Sequence, residues 1–375
     1  MEHAAITPGQ YGESSLLLCA TDAGGVRNIA ALCSSAKEQG FEIHIVTRRS
    51  LASLFQDSNI MLVENLAGGI KPFLRKLQPG VVICGTTRYD SPDRETIAFA
   101  RMRGVPCVAV VDEWYNYILR FSGRDGEELP VFPDAIAVPD EFARREAIAE
   151  GVPREICHAT GSPSLALVAD LAELWHKFPP AVPKELSGLD GATIVTFVSE
   201  THYSDYGMAP GESGPLGPFI GYTEQSVCRS ILQTLGGIPK KFVFVYRPHP
   251  SESEFPEPTP LPDNIQFLLA PGAPLLPLCY HSDMVIGMRS MAILEAKLIG
   301  CRAASFQPGL VGPQLSTAVR LGLVPFLMDE NSLSAWISEN SLKSGRRESA
   351  SRRPDFARPD AADNILSLAM QKILH

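Results

Sequence analysis

The sequence predicts an α/β protein built from two doubly wound parallel-sheet domains. Short apolar runs alternate with helical segments along most of the chain, and this alternation is typical of parallel sheets with right-handed crossovers. A stretch rich in proline, glycine and serine, FPPAVPKELSGLDG, interrupts the alternation near the middle. With 375 residues, of which 45% are hydrophobic, the chain is long enough for two sizeable cores.

The first domain opens with a buried strand over 15–20, a glycine turn over 21–28 and a helix over 29–39. Strand, glycine turn and helix form the opening βα unit of a doubly wound sheet. Further strands are predicted at 41–47, 60–63, 81–85, 106–111, 134–139 and 156–160. We assign the segments as follows: 1–180 to the first domain, 181–190 to the linker, 191–358 to the second domain, and 359–375 to a closing helix that packs towards the first domain.

Charge and cysteine usage restrict the class of protein. The formal net charge of −9 argues against a nucleic-acid-binding surface, so an anionic substrate would need a local basic pocket. The eight cysteines form no CxxC pair and no zinc-ligand spacing, and several lie in apolar runs, which is typical of buried thiols in a reducing compartment. The N-terminus has no signal-peptide pattern, and no apolar stretch is long enough for a membrane span. We expect a cytoplasmic protein that uses no metal and no cofactor, and we leave peripheral membrane contact and homodimer formation open.

The second domain contains two motifs around which the chain is organised, and the first is a strand that ends in a stiff basic loop. Phe242 to Tyr246 is an apolar run of β-branched and aromatic residues, which predicts a strand buried on both faces. The run stops at Arg247-Pro248-His249-Pro250, where the prolines remove N–H donors and favour extended backbone. A cation and an imidazole are therefore presented at the carboxyl end of the strand, where open α/β sheets bind ligands. The alternative is a rigid surface turn without a ligand.

The second motif is a strand that runs into a glycine and then a helix. Residues 283–287 predict the strand, Ser290 lies at the N-cap of a helix over 291–299, and Arg289 adds a positive charge. Helix N-termini attract anions, so we predict a phosphate site here. Glu295 lies far enough into the helix to reach a ribose hydroxyl beside that phosphate. The alternative is a helix start that binds nothing.

The order of strand, Gly287-x-x-Ser290, helix with Glu295, Gly300 and strand resembles the nucleotide-binding half of two-domain GT-B glycosyltransferases and of UDP-N-acetylglucosamine 2-epimerases. His249-Pro250 together with Ser290 is similar to the His-Pro and serine motifs of bacterial sialyl- and Kdo-transferases and other enzymes of capsule polysaccharide biosynthesis. The resemblance implies two Rossmann-like domains that face a cleft. It also implies metal-independent transfer of a sugar from a UDP- or CMP-linked donor to a glycan, a lipid-linked acceptor or a small molecule.

The resemblance also implies roles for individual residues. Glu295 would hold the ribose, and a group of the first domain would take the proton of the acceptor. Asp112 or Glu113 is the preferred base and Asp22 comes next; structurally, Asp112 would instead cap the following segment while Glu113 is solvated. His249 is a further catalytic candidate. The departing phosphate would be stabilised by residues of the second domain, namely Arg247, His249, Gly287, Arg289, Ser290 and Met291.

Another group of residues would line the cleft or contact the acceptor, namely Gly24, Gly25, Arg88, Gly161, Ser162, His202 and Gln307. Gly161 and Ser162 lie in a segment that resembles a Thr-Gly-Asn-Pro type turn, with serine in place of asparagine, and a hinge-side turn is their structural alternative. His202 is a second proton-acceptor candidate, although a single histidine is more often structural. Residues 203–222 form a long Gly- and Pro-rich loop, either a lid over the nucleotide or an insertion without a chemical role. The basic segment 343–358 either contacts a polyanion or is a solvated run.

Two other functions stay open. A hydrolysing nucleotide-sugar epimerase shares the fold but normally has more carboxylates in the cleft and a Gly-Gly pair before the helix, where this chain has Met288-Arg289. Such an enzyme would release free sugar with no acceptor present. A non-catalytic protein that binds sugar nucleotides or glycans would instead show tight binding without turnover.

Overall fold

The computed structural model describes residues 12–55, 59–66, 69–87, 91–123, 129–189, 191, 193–252, 255, 260–343 and 353–373. These residues form two compact units. The first unit runs up to Asp170 and resumes at Arg353, and the second takes the intervening residues from Leu171. Each unit contains a parallel sheet of at least six strands, which confirms the predicted fold class of two doubly wound α/β domains. The change from the first unit to the second lies before the linker predicted at 181–190.

The described strands of the first unit are β1 (Gly12–Cys19), β2 (Glu42–Thr47), β3 (Ile60–Leu62), β4 (Pro79–Cys84), β5 (Cys107–Val110), β6 (Ala135–Val138) and β7 (Cys157–Ala159). They pair in the order β3-β2-β1-β4-β5-β6-β7, and every pairing is parallel. The strand order reverses between β1 and β4. In open α/β sheets, ligands bind beyond the carboxyl ends of the strands at such a reversal.

The helices that follow these strands are α1 (Ala23–Ala30), α2 (Cys33–Glu38), α3 (Ile70–Leu77), α4 (Ser91–Arg103), α5 (Glu141–Glu150) and α6 (Pro163–Lys177), and 3-10 turns cover Arg49–Leu54, Val63–Asn65 and Arg154–Ile156. Local signals explain their ends. The Asp140 side chain caps α5 by accepting the N–H of Ala143 at 2.7 Å, and Gly151 ends it in the left-handed region with φ of 112°.

The C-terminal segment also belongs to the first unit. After a 3-10 turn at Asp355–Ala357, a C-terminal helix covers Ala361–Ile373. Its Ile365 and Leu366 are fully buried in the same core as β1 and β2. The C-terminal helix and α1 thus cover one face of the sheet, while α4 packs against β1, β4 and β5. Leu17 and Val82, which point to the other face, are also fully buried, as expected for strands that are almost continuously apolar.

The described strands of the second unit are β8 (Thr193–Val198), β9 (Ser213–Gly214), β10 (Gly217–Pro218), β11 (Phe242–Arg247), β12 (Ile265–Leu269), β13 (Met284–Gly287), β14 (Ala303–Phe306) and β15 (Phe326–Leu327). All except β9 and β10 form one parallel sheet in the order β12-β11-β8-β13-β14-β15. The strand order reverses between β8 and β13, so the second unit has its own ligand-binding edge at the loops after these two strands.

The helices of the second unit are α7 (His202–Tyr206), α8 (Glu224–Gly236), α9 (Leu275–His281), α10 (Met291–Leu298), α11 (Thr317–Arg320) and α12 (Glu330–Ser341), with a 3-10 turn at Lys184–Leu186. Alternate strand residues point to opposite faces of the sheet. Phe197 and Phe244 are buried with α8 on one face, while Val243 and Val245 pack with Leu278 on the other. None of the described helices combines the length and apolarity that a bilayer crossing requires.

Two predicted loops differ from the structure. Gly24 and Gly25 lie inside the first turn of α1 rather than in a turn before the helix, because Asp22 caps the helix earlier and its Oδ1 accepts the N–H of Gly25 at 2.6 Å. The segment 203–222 is not a structureless loop. It contains most of α7 and the antiparallel pair β9-β10, and the Leu216 N–H donates to the Asp205 carbonyl at 2.9 Å.

Candidate functional site

The candidate site of the second unit lies at the carboxyl edge where the strand order reverses. The loop after β8 carries Glu200 and His202, and the loop after β13 carries Arg289 and Ser290. These strands are direct neighbours in the sheet, so their loops meet at one place. Sequence reasoning selected three of these residues but not Glu200.

Glu200 occupies the helix N-terminus that the sequence predicts as a phosphate site. Its Oε1 accepts the backbone N–H groups of Met288, Arg289 and Ser290 at 3.2, 2.7 and 2.9 Å. Ser290 is the N-cap of α10, as predicted, and its hydroxyl oxygen accepts the N–H of Ala292 at 3.1 Å. The dipole of α10 therefore already has an internal anion as its partner. A ligand phosphate could reach the N–H groups of Arg289 and Ser290 only by displacing the Glu200 carboxylate.

Two cationic or polar side chains hold this carboxylate. His202 Nε2 lies 3.2 Å from both Glu200 Oε2 and Arg289 Nε. A protonated Nε2 donates to the Glu200 carboxylate and a bare Nε2 accepts from Arg289, so only one of these two hydrogen bonds forms at a time. Burial opposes ionisation of Glu200, but His202 and Arg289 outweigh it and lower the pKa of the carboxyl from 4.5 to about 2. The site thus contains a permanent negative charge beside the Arg289 guanidinium.

Aromatic rings enclose Arg289 and His202. The Arg289 guanidinium carbon lies 4.7 Å from the Tyr206 ring centroid, a cation–π distance. The His202 ring packs edge-on against Tyr206 and Tyr222, with centroids 5.8 and 5.3 Å apart. His202 is 2% exposed, so it is not at the surface in this structure, although it was predicted as a proton acceptor for a ligand. Tyr206 belongs to the segment 203–222, which is therefore packed onto the site.

The loop after β11 adds His249 in a defined orientation. The N–H of Ser251 donates to His249 Nδ1 at 3.2 Å, which requires an unprotonated Nδ1 and leaves Nε2–H as the donor of the neutral ring. Burial lowers the pKa of His249, against the opposing charges of Glu200 and Asp205. Glu252, which sequence reasoning missed, holds the loop by accepting the His249 N–H at 3.0 Å and the Tyr246 hydroxyl.

Arg247 lies at the end of the same strand. Its Nε donates to the Ala273 carbonyl at 3.2 Å, and the rest of the guanidinium is half-buried. Burial lowers the pKa of Arg247, and the nearby carboxyl group of Glu295 opposes that effect. Glu295, predicted to hold a ribose, is 2% exposed on α10. The half-buried Arg247 cation therefore lies within electrostatic range of a buried carboxyl group on α10.

Two predicted site residues have structural positions instead. Gln307 is fully buried: its Oε1 accepts the Tyr222 hydroxyl at 2.9 Å and its Nε2 donates to the Met288 carbonyl at 3.0 Å, so no surface is left for a sugar. Gly287 provides close packing, since a Cβ there would lie 2.8 Å from Ile293 Cγ1. Both residues hold the loop after β13 in place, Gln307 through its hydrogen bond to the Met288 carbonyl and Gly287 through its close packing against Ile293.

The carboxyl edge of the first unit brings together the predicted base candidates. Asp112 Oδ1 accepts a hydrogen bond from Arg120 NH1 at 2.8 Å, and Glu113 Oε2 lies 3.8 Å from Arg120 NH2. Arg120 also donates to the carbonyl and hydroxyl oxygens of Thr86, at 2.8 and 3.0 Å. Asp112 therefore does not cap the following segment, which was its structural alternative. Arg120 is a buried cation that the sequence did not single out.

Asp22 and Asp112 face the same turn of α1. A Cβ on Gly24 would lie 1.9 Å from Asp112 Oδ2, and a Cβ on Gly25 would lie 3.0 Å from Asp22 Oδ1. Burial and the charge of Asp112 raise the pKa of Asp22. Burial also raises the pKa of Asp112, with Arg120 opposing and Glu113 adding to the effect. Gly24 leaves no room for a side chain while Asp112 keeps this orientation, whereas a side chain at Gly25 would require only a small shift of Asp22.

The remaining first-unit predictions have different outcomes. Gly161 adopts φ of 92°, and a Cβ there would lie 2.6 Å from Arg358 Cγ. The Ser162 hydroxyl donates to Asn28 Oδ1 at 2.9 Å, and the Ser162 N–H donates to the Phe356 carbonyl at 2.7 Å. These two residues therefore anchor the C-terminal segment rather than line a cleft. Arg88 lies outside the described residues.

The fold and these two edges define the class of structure. The chain has the fold of the GT-B-like UDP-N-acetylglucosamine 2-epimerases, with two parallel-sheet α/β units. Within the described residues, no group of three or more histidine, cysteine, aspartate or glutamate side chains is arranged to hold a metal ion.

Solved structures show this similarity over almost the full chain. UDP-GlcNAc 2-epimerase from Neisseria meningitidis, bound to UDP-GlcNAc, has a TM-score of 0.65 and 13% identity, covering 95% of this chain and 100% of that one. The enzyme from Methanocaldococcus jannaschii has a TM-score of 0.64 and 10% identity, covering 95% and 99%. The glycosyltransferase of kitacinnamycin has a TM-score of 0.54 and 13% identity, covering 96% and 94%. No protein-family model and no curated protein sequence matches the chain.

Proposed function

We propose that the protein is an enzyme that acts on a nucleotide sugar and breaks the bond between the sugar and the diphosphate. The observation that carries this proposal is the set of basic side chains at the carboxyl edge of the second unit. Arg247 and His249 lie at the end of β11 and Arg289 follows β13, and both strands pair with β8, so the three basic side chains lie at one edge of the sheet. In a chain of net charge −9, such a local concentration favours an anionic ligand.

The similar structures support the same ligand class. The Neisseria meningitidis epimerase of this fold was solved with UDP-GlcNAc, and the Methanocaldococcus jannaschii enzyme with UDP-GlcNAc and UDP. We assign the diphosphate to Arg247, His249 and Arg289. In the neutral ring, His249 Nε2–H is a donor for a phosphate oxygen. Charge stabilisation of the leaving group is commonly the largest catalytic contribution.

For the reaction type, we infer hydrolytic epimerisation. Inverting a carbon centre requires a proton to be removed and another to be delivered, whereas glycosyl transfer requires one base. Asp22 and Asp112 are two carboxyl groups that mutually disfavour double ionisation, which is the arrangement expected of an acid and a base in one site. Both carboxyl groups are among the base candidates that the sequence predicts.

Glycosyl transfer is the second candidate. Its support is the fold similarity to the kitacinnamycin glycosyltransferase and the presence of Met288-Arg289 before α10 instead of two glycines. In this reaction, Asp112 would accept the proton of the acceptor hydroxyl. The basic cluster would play the same part in both reactions.

One experiment separates the candidates. The full chain is incubated with UDP-GlcNAc without an acceptor, and products are followed by proton NMR. Release of UDP together with free, epimerised sugar supports the epimerase, while turnover only after an acceptor is added supports the transferase. No turnover with a panel of nucleotide sugars and acceptors, despite binding, would contradict both.

Two variants and a control connect the activity to the site. Arg289→Lys and Asp112→Asn should each lower turnover by roughly 100-fold or more, because one removes the planar guanidinium and the other the base. Asp263→Asn changes a carboxylate to an amide at an exposed position of the second unit and should leave turnover unchanged. Full activity of both site variants would refute the residue assignment.

A further inference from the structure

In the first unit, the Thr87 hydroxyl lies between the carboxyl groups of Asp22 and Asp93. The proposed reaction uses Asp22 but not Asp93. Thr87 Oγ1 is 2.7 Å from Asp22 Oδ2 and 2.8 Å from Asp93 Oδ2. Asp93 is 1% exposed on α4, and neither the sequence nor the predicted site singled it out. At these separations both oxygen pairs must be hydrogen-bonded, since two unprotonated oxygens would repel each other.

Counting the protons between Thr87 and the two carboxyl groups shows that one of the carboxyl groups is protonated. The Thr87 hydroxyl has one proton and can donate only one of the two hydrogen bonds. The other must be donated to Thr87 by a protonated carboxyl group. The Thr21 hydroxyl lies 3.3 Å from Thr87 Oγ1. Its proton does not lie on the line between Thr87 Oγ1 and either carboxyl oxygen, so it cannot form the missing hydrogen bond.

The surrounding donors indicate which carboxyl group is protonated. Asp93 accepts hydrogen bonds at both oxygens: Oδ2 accepts the Thr87 N–H at 3.0 Å, and Oδ1 accepts the Thr21 hydroxyl at 3.4 Å and the Cys19 thiol at 3.9 Å. These contacts stabilise the ionised form. Asp22 accepts the Gly25 N–H at Oδ1, while its Oδ2 faces the Thr87 hydroxyl.

We propose that Asp22 holds a proton in the resting protein and donates it to Thr87 Oγ1, while the Thr87 hydroxyl donates to an ionised Asp93. The catalytic roles that follow rest on the proposed function. In that reaction Asp22 is the general acid, and Asp112 is the carboxylate that takes a proton. Thr87 and Asp93 are positioning residues that act through Asp22.

The charged groups around Asp22 agree with this arrangement. Asp112 disfavours a second negative charge nearby, and its partner Arg120 acts in the opposite direction. Asp112 itself is hydrogen-bonded to Arg120, so its ionised form has a partner that Asp22 lacks. Glu113 adds a further carboxylate 3.8 Å from Arg120 NH2, and Arg48 donates from Nε to the Thr21 carbonyl at 3.1 Å. Burial and Asp112 together raise the pKa of Asp22, which supports the geometric assignment.

Infrared spectroscopy of the full chain at neutral pH tests the proposal without substrate, so a failure of the proposed function leaves its result intact. The wild-type minus Asp22→Asn difference should contain the carbonyl stretch of a protonated carboxylic acid. The amide that replaces the acid can still donate to Thr87, so this variant keeps the hydrogen bond. A difference that contains only carboxylate stretches would overturn the proposal.

The link to Asp93 is tested in the same way. In Asp93→Asn the amide oxygen still accepts the Thr87 N–H, but the negative charge of Asp93 is lost, which makes ionisation of Asp22 easier. The acid carbonyl band should therefore disappear at a lower pH in Asp93→Asn and at the wild-type pH in Thr87→Ser. If Asp93→Asn does not fold, Thr87→Val serves instead, because it removes the Thr87 hydroxyl and should shift the pH at which the acid carbonyl band disappears. An unchanged band in Asp93→Asn or in Thr87→Val would refute the role of Thr87 and Asp93.

A kinetic measurement adds the functional consequence. If the enzyme turns over a nucleotide sugar, Asp93→Asn should move the basic limb of the kcat/KM profile to lower pH, because Asp22 loses its proton more readily. Thr87→Ser, which keeps the hydroxyl, should have the wild-type profile. A lower rate with an unshifted profile would show that Asp93 only supports the fold.

Discussion

Replacing Glu200 by glutamine tests the electrostatic core of the second unit. The substitution keeps an oxygen that can accept the N–H groups of Met288, Arg289 and Ser290, but it removes the charge that faces His202 and Arg289. The pKa of Glu200 lies at about 2 instead of 4.5. Since each pKa unit corresponds to about 1.4 kcal/mol, ionisation of this carboxyl stabilises the fold by about 3 kcal/mol at neutral pH.

The pH dependence has a definite sign. Because the pKa in the folded state is lowered, the stabilisation is complete above the ordinary value of 4.5 and is lost as the pH falls towards about 2. Glu200→Gln should therefore be less stable than the wild type by about 3 kcal/mol at neutral pH. The difference should shrink as both proteins are acidified from pH 4.5 downwards.

Urea unfolding measures this difference, with hydrogen-exchange mass spectrometry to follow the second unit separately from the first. With a urea dependence of about 2 kcal/mol per M, the midpoint of the second unit should fall by about 1.5 M at neutral pH. Asp263→Asn, an exposed carboxylate in the same unit, serves as the control and should leave the midpoint unchanged within error. A Glu200→Gln midpoint equal to the wild type at neutral pH, or a deficit that does not change with acidification, would refute the reasoning.

The other predictions concern packing and the first-unit carboxyl pair. Because the pKa of Asp22 is raised in the folded state, the unfolded chain loses this proton first, and the free energy of unfolding falls as the pH rises above 3.8; Asp22→Asn should raise the melting temperature at neutral pH, and the gain should vanish near pH 3.8, as calorimetry would show. Gly287→Ala places a Cβ 2.8 Å from Ile293 Cγ1 and should cost about 1–3 kcal/mol in urea unfolding, whereas Gly272→Ala, which meets nothing within 4 Å, should cost far less. Gly161→Ala adds strain at φ of 92° and a contact of 2.6 Å with Arg358; faster hydrogen exchange in the C-terminal helix is expected, and unchanged exchange would contradict that anchoring role.

Much of the fold could be predicted from local sequence patterns. The strands Glu42–Thr47, Phe242–Arg247 and Met284–Gly287 lie within one residue of the predicted bounds 41–47, 242–246 and 283–287. Apolar runs and caps act over a few residues, so their effect can be read without knowledge of the tertiary structure. The Ser290 cap of α10 was predicted for the same reason.

The candidate site was less predictable because its interactions join distant parts of the chain. Glu200 bonds to backbone groups 88 to 90 positions away, and Thr87 links two aspartates of which one lies 65 positions away. No local pattern indicates such partners. A usable signal existed for Glu200, which follows the apolar run 193–198 by two positions and precedes His202 by two positions. Arg120 lies in an irregular segment after Asp112, so its role became visible only with the side-chain positions.

The most direct test of the account is a hydrogen-exchange footprint of UDP on the full chain. At about 100 times its dissociation constant, the ligand should stabilise the site by about 2.7 kcal/mol. We expect slower exchange in the loops after β8, β11 and β13, around Glu200, His249 and Arg289, and loss of that protection in Arg289→Ala. Unchanged exchange in all three loops, or protection that persists in Arg289→Ala, would contradict the claim that this edge binds the nucleotide.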